Sequence, residues 1–90
     1  MAIKLDFNRE SLNKVLANPR TVWLNDAFEN YICGKEDAYS ELYYFLFSEN
    51  CVDVTATDEN GEPYDDADVD DSSLWNKLFD EIVEYYKTLK

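Results

Sequence analysis

Ninety residues with 46% apolar and 16% aromatic content make a folding chain, since acidic disordered sequences lack the aromatics needed to bury surface. The formal net charge of −12, from 20 acidic and 8 basic side chains, disfavours direct binding to nucleic acid or to an anionic membrane. The chain has no histidine, the commonest general base and metal ligand, and no apolar run near the ~20 residues of a membrane span.

Ile3, Leu5 and Phe7 alternate with Lys4 and Asp6, the period of a half-buried strand. Asn8 is placed to cap a helix over Arg9–Ala17 with Leu12, Val15 and Leu16 inward, ended by Asn18-Pro19. Leu24, Ala27, Phe28, Tyr31 and Ile32 then recur at helical spacing, with Gly34 just past the end. Its cap is Thr21, or Asn25 if Arg20–Leu24 is extended. A third helix is predicted from near Asp37 to about Ser48. The run from Leu42 to Phe47 also fits a strand, but segment length and the Ala38/Leu42/Phe45/Leu46 spacing select helix.

Val52, Val54 and Ala56 alternate with Asp53, Thr55 and Thr57, a strand leading into the turn Asp58-Glu59-Asn60-Gly61. A short return strand around Glu62–Tyr64 and an acidic loop over Asp65–Asp71 follow. Asp71, Ser72 or Ser73 caps a last helix with Trp75, Leu78, Phe79, Ile82, Tyr86 and Leu89 on one face. The order β-α-α-α-β-β-α predicts a small α+β domain over residues 1–90, about four helices on a short antiparallel sheet.

Catalysis finds little support. Ser72 and Ser73 have no base nearby in sequence and suit helix caps, and no glycine-rich phosphate cradle is present. Asp66, Asp68 and Asp70 match positions 1, 3 and 5 of a calcium loop, but Asp71 stands where glycine must turn and Lys77 where a bidentate glutamate belongs. Starting at Asp58 puts Gly61 at position 4, two places early. No cofactor or dedicated metal site is expected, and the protein is read as a non-enzyme. Cys33 and Cys51, 18 residues apart, are expected to be buried thiols in a reducing compartment, a disulfide requiring a secreted context. The opening residues carry no apolar run of signal-peptide length, so a cytoplasmic location is expected.

The distribution of charge is the functional lead. From Glu36 to Asn76 the chain runs 41 residues with thirteen carboxylates and no lysine or arginine, while residues 1–35 carry net +1 and residues 77–90 net zero. One-sign fields repel themselves and weaken a compact state, so a surface ordinarily mixes signs. The bland reading is a solvated, solubilising face. The functional reading is geometric: alternate residues of an extended chain lie about 6.8 Å apart, close to the phosphate spacing of a nucleic-acid strand. Asp66, Asp68 and Asp70 have that spacing if their loop is extended, with Asp53 on the preceding strand adding to it. Helical pairs such as Asp37/Glu41 and Asp80/Glu84 space carboxylates by about 5–6 Å.

The aromatics read mainly as core, with Trp23, Phe28, Trp75 and Phe79 on or beside apolar stripes. The doublets Tyr43-Tyr44 and Tyr85-Tyr86 differ, because adjacent helical residues diverge and one of each pair should lie near the surface. An exposed tyrosine among carboxylates suits a protein interface better than base stacking, which needs a basic groove.

In size, acidity, aromatic content and α+β pattern the whole chain resembles the small acidic inhibitors of phages and mobile elements. These are the anti-CRISPR, anti-restriction and glycosylase-inhibitor proteins that mimic DNA. The resemblance rests on those bulk features and on no motif. It implies a stoichiometric inhibitor, acting in the host cytoplasm if phage-encoded, that occupies the basic cleft of a nucleic-acid-binding protein or complex. The charge map assigns that contact to Glu59, Glu62, Asp65, Asp66, Asp68, Asp70 and Asp71 with Tyr64. Glu36, Asp37 and Glu41 form a second patch. The alternative is an immunity or adaptor protein that docks one basic partner.

Overall fold

A computed structural model describes residues 3–49 and 52–89. In chain order it contains strand β1 (Lys4–Phe7), helices α1 (Arg9–Ala17), α2 (Leu24–Ile32) and α3 (Ala38–Tyr43), and a π-helical turn (Tyr44–Ser48). Strands β2 (Val54–Thr57) and β3 (Pro63–Tyr64), a 3-10 turn (Asp66–Asp68) and helix α4 (Ser72–Thr88) complete it. Among the described residues this is a small α+β protein with four α-helices and a three-stranded antiparallel sheet. Two compact units share these elements.

One unit takes the chain up to Asn8 and from Val54 onward. Its sheet has the order β1-β2-β3, with Leu5 opposite Ala56 and Phe7 opposite Val54. Leu5, Phe7 and Ala56 are buried, as alternation requires of a sheet with one wet face. Pro63 pairs with Thr57 on the edge strand, where its missing N–H does no harm. Helix α4 packs against β1, and the Tyr85 ring meets Phe7 edge-on with centroids 5.7 Å apart. The apolar stripe of α4 buries Leu78, Phe79, Ile82, Val83 and Tyr86. Leu89, predicted on the same face, is exposed because the helix ends at Thr88 and Leu89 is its C-cap.

The other unit spans Arg9–Asp53. Within it Leu12, Leu24, Ala27, Phe28, Ala38, Leu42, Leu46 and Val52 are buried. Val15 and Leu16, expected inward on α1, are only half-buried. The start of α2 differs from both predictions. Arg20–Trp23 is not extended but a series of turns, Leu24 already opens the helix, and Trp23 occupies the N-cap with no side-chain cap bond. Thr21 Oγ1 donates to the Val15 carbonyl at 2.6 Å, and Asn25 Nδ2 donates to the Leu16 carbonyl at 3.0 Å. Both residues thus serve the orphan carbonyls ending α1. Gly34 takes φ +80° after α2, the left-handed C′ position that glycine enters without a Cβ penalty.

The third predicted helix is present but changes pitch. After Tyr43 it widens into a π turn, closed by the Glu49 N–H on the Tyr44 carbonyl, five residues back, at 3.0 Å. Leu42 and Leu46 are wholly buried on either side of this change, and Phe45 is half-buried. Its entry is marked by Asp37, a non-glycine residue in the left-handed region at φ +64°, which aspartate tolerates better than most.

Truncating wholly buried Phe79 to alanine is expected to cost about 3–5 kcal/mol in urea unfolding at neutral pH, through lost burial and a residual cavity. Leu89→Ala, at a largely solvated position, is expected to stay within about 0.5 kcal/mol of the parent.

Candidate protein-binding surface

Eleven of the thirteen carboxylates between Glu36 and Asn76 are exposed, and the other two, Asp58 and Asp66, are half-buried. No polar or charged residue is buried among the described residues. With no cation in the stretch, burying a carboxylate there would cost several kcal/mol of hydration without a paired charge.

Three of these acids organise the backbone around them. One Asp58 carboxylate oxygen accepts from the Asn60 N–H at 2.9 Å and the Glu62 N–H at 3.0 Å, while the Gly61 N–H reaches the Asp58 carbonyl at 2.9 Å. This folds the predicted turn, with Gly61 at φ +80°. The Asp65 carboxylate accepts from the Ala67 N–H at 3.0 Å and opens the 3-10 turn. The Asp71 carboxylate accepts from the Ser73 N–H at 2.9 Å and the Ser73 hydroxyl at 2.6 Å, settling which of three candidates caps α4. Those bonds hold the Asp71 carboxyl below the usual carboxylate range.

The expected phosphate-like spacing is not formed over Asp66–Asp68. That segment is a 3-10 turn, so Asp66 and Asp68 advance only about 4 Å along its axis and point to different sides. The reason is local and tertiary together. The Asp65 side chain nucleates the turn, and Val69 is buried while its carbonyl accepts the Trp75 indole N–H at 2.9 Å. The loop is thereby drawn down onto the first turns of α4. Asp68 and Asp70, on either side of Val69, stay exposed, as do Glu59 and Glu62, and Tyr64 is half-buried on β3. Asp53, expected on the strand before the turn, precedes β2; it is exposed, and its N–H donates to the Ser11 hydroxyl at 3.1 Å. The Asp66–Asp68 segment of the first predicted patch is therefore a tight turn rather than an extended track.

The second patch, Glu36, Asp37 and Glu41, belongs to the Arg9–Asp53 unit, and all three side chains are exposed. Asp37 sits at the N-cap of α3, where its charge also complements the orphan N–H groups of the helix start. In the last helix Glu84 pairs with Lys87 at 3.2 Å, so the Asp80/Glu84 pair is partly neutralised. Among the described residues no three histidine, cysteine or carboxylate side chains are grouped to hold a metal ion.

Two expectations on apolar residues are corrected here. Trp23 is 40% exposed rather than core, because it stands in the turn before α2 with its indole N–H on the Arg20 carbonyl at 3.1 Å. Cys33 is exposed rather than buried, since it is the C-cap of α2 beside Gly34. Cys51 lies outside the described residues. The doublets divide as helix geometry predicts: Tyr44 is 51% exposed beside half-buried Tyr43, and half-buried Tyr85 adjoins buried Tyr86. The Glu49 carboxylate, an acid five residues on in the sequence, holds the Tyr44 hydroxyl above its ordinary pKa through hydrogen bonding and charge.

No helix among the described residues is long and apolar enough to cross a membrane. Comparison with protein-family models, curated proteins and solved structures finds no match.

Because the folded-state pKa of Asp71 is lowered, the stability its cap contributes is present above the ordinary carboxylate range. It is lost as pH falls through the lowered value. Asp71→Ala is therefore expected to reduce the urea midpoint at pH 7 and to reduce it less at pH 3, with Asp71→Asn retaining most of the cap at both.

Proposed function

We propose that this chain is a non-enzymatic inhibitor that blocks the basic nucleic-acid-binding cleft of a target protein or complex, in the manner of anti-CRISPR and anti-restriction DNA mimics. One observation carries the reading: a 41-residue stretch without a cation buries none of its thirteen carboxylates, and eleven of them are exposed. Such a field attracts a basic cleft over a distance set by ionic strength and raises the rate of encounter. In the cytoplasm it would compete with the phosphate backbone, which the same cleft holds by counterion release. Asp68, Asp70, Glu59 and Glu62 are the carboxylates best placed for contact, while Asp58, Asp65 and Asp71 shape the loop that presents them.

A second reading, an immunity or adaptor protein docking one basic partner, is favoured by the 3-10 turn at Asp66–Asp68. That turn departs from the extended spacing that imitation of a strand calls for, which suits a short, discrete docking surface instead.

The test is a low-salt capture of partners from host cells with the intact chain, followed by titration of a captured basic protein's nucleic-acid binding. Stoichiometric loss of that binding, relieved by high salt, is expected. The triple variant Asp66→Lys, Asp68→Lys, Asp70→Lys should weaken inhibition on the order of 100-fold with an unchanged circular-dichroism spectrum. Undiminished inhibition by a folded triple variant would remove this loop from the contact. A captured partner whose blocked activity is not nucleic-acid binding would favour the immunity reading.

A further inference from the structure

The Arg9–Asp53 unit carries exposed aromatic surface that its own packing does not use. Trp23 is 40% and Tyr44 51% exposed, and Phe45 joins them into one row. The Trp23 and Phe45 centroids lie 4.5 Å apart at 68°, and those of Phe45 and Tyr44 5.9 Å apart at 67°. Both are edge-to-face contacts that hold the rings in place. The Arg20 carbonyl pins the Trp23 indole at 3.1 Å, and the π turn, a feature frequent at functional sites, begins at Tyr44. Rings fixed this way lose little freedom on binding, which is why Tyr and Trp dominate interface hot spots.

Charge decides what such rings can receive. Glu41 lies three residues before Tyr44, on the same face of the helical segment, and the Glu49 charge lies near enough to raise the Tyr44 hydroxyl's pKa. Both glutamates are exposed. The cation nearest in sequence to the row is Arg20, three residues before Trp23, so the acidic character belongs to the Tyr44 end. A second copy of the chain would bring another net charge of −12 to the contact, and a nucleic-acid base would bring its phosphate. A guanidinium matches both halves of the site, stacking flat on a ring while its fork of donors meets a carboxylate. A lysine ammonium matches only the charge.

We infer that Tyr44, flanked by Glu41 and Glu49 and joined through Phe45 to Trp23, forms a receptor for an arginine side chain of the basic partner. This rests on the reading that the partner is basic, and it assigns the Arg9–Asp53 unit a selective contact in addition to the electrostatic one made by the acidic loop.

The two tryptophans allow both ideas to be tested at once in the intact protein. The indole N–H resonance of Trp23 reports the aromatic row, and that of Trp75, bonded to Val69, reports the acidic loop. Titration with hexa-arginine and hexa-lysine peptides at equal ionic strength is expected to move Trp75 comparably with either. Trp23 should respond to hexa-arginine at about fivefold lower concentration than to hexa-lysine. Tyr44→Ala, at a largely solvated position, should erase that preference, and Tyr44→Phe should keep it. Equal response of Trp23 to both peptides, or a preference surviving Tyr44→Ala, would overturn the receptor. A response of Trp75 with Trp23 silent would overturn the receptor and leave the acidic-loop reading standing. Silence at both resonances would overturn both.

Discussion

A carboxylate without a counter-charge must stay in water, and this constraint shapes most of the molecule. Across a 41-residue stretch with thirteen acids and no lysine or arginine, no ion pair within the stretch can offset desolvation. The chain satisfies the constraint by placing acids where backbone must turn or a helix must begin. Asp58 closes the hairpin turn, Asp65 opens the 3-10 turn, Asp37 stands at the entry to α3 and Asp71 caps α4. The apolar residues between them are then free to bury, so Val69, Leu42 and Leu46 go inward from within the most acidic part of the sequence.

Structure and surface character follow from the same division of labour. Carboxylates that accept backbone N–H bonds are tied to local geometry, whereas Glu59, Glu62, Asp68 and Asp70 stand exposed around them. The first group fixes the local turns between which the second stands. On the proposed reading, a partner would meet an array already held in place by these bonds, at a lower entropic cost than a disordered acidic tail would impose. Rim charges of this kind act mainly on encounter rate and salt sensitivity. Contacts that hold a complex together ordinarily come from ordered aromatic anchors, and the Trp23–Phe45–Tyr44 row supplies such a feature in the other unit.

Element existence was legible because period and punctuation agree. Alternation marked β1 and β2, the stretch from Asp58 to Gly61 marked the turn, and the i, i+3, i+4 recurrence marked α2 and α4. The pitch change after Tyr43 was not legible, since a π turn and an α turn make similar demands on an apolar run. The roles of Thr21 and Asn25 were misread because each can bond forward as a cap or backward to carbonyls of α1. Only the approach of those carbonyls selects between the two. Trp23 borders the apolar stripe of α2 in sequence, and only its place in the turn before the helix leaves it exposed.

The amino-acid order alone determined the α+β class, the element order, the charge segregation and the rule that these acids remain wet, because each follows from local periodicity and hydration. Tertiary structure decided how the acids are arranged. An Asp-x-Asp-x-Asp segment is compatible with an extended phosphate-like track and with a tight turn. Burial of Val69 and the hydrogen bond from Trp75 to its carbonyl, contacts supplied by α4, go with the turn. The acidic block from Glu36 to Asn76 is thus a set of short, separately anchored patches, and its spacing is set by what lies beneath it rather than by the residues that carry the charge.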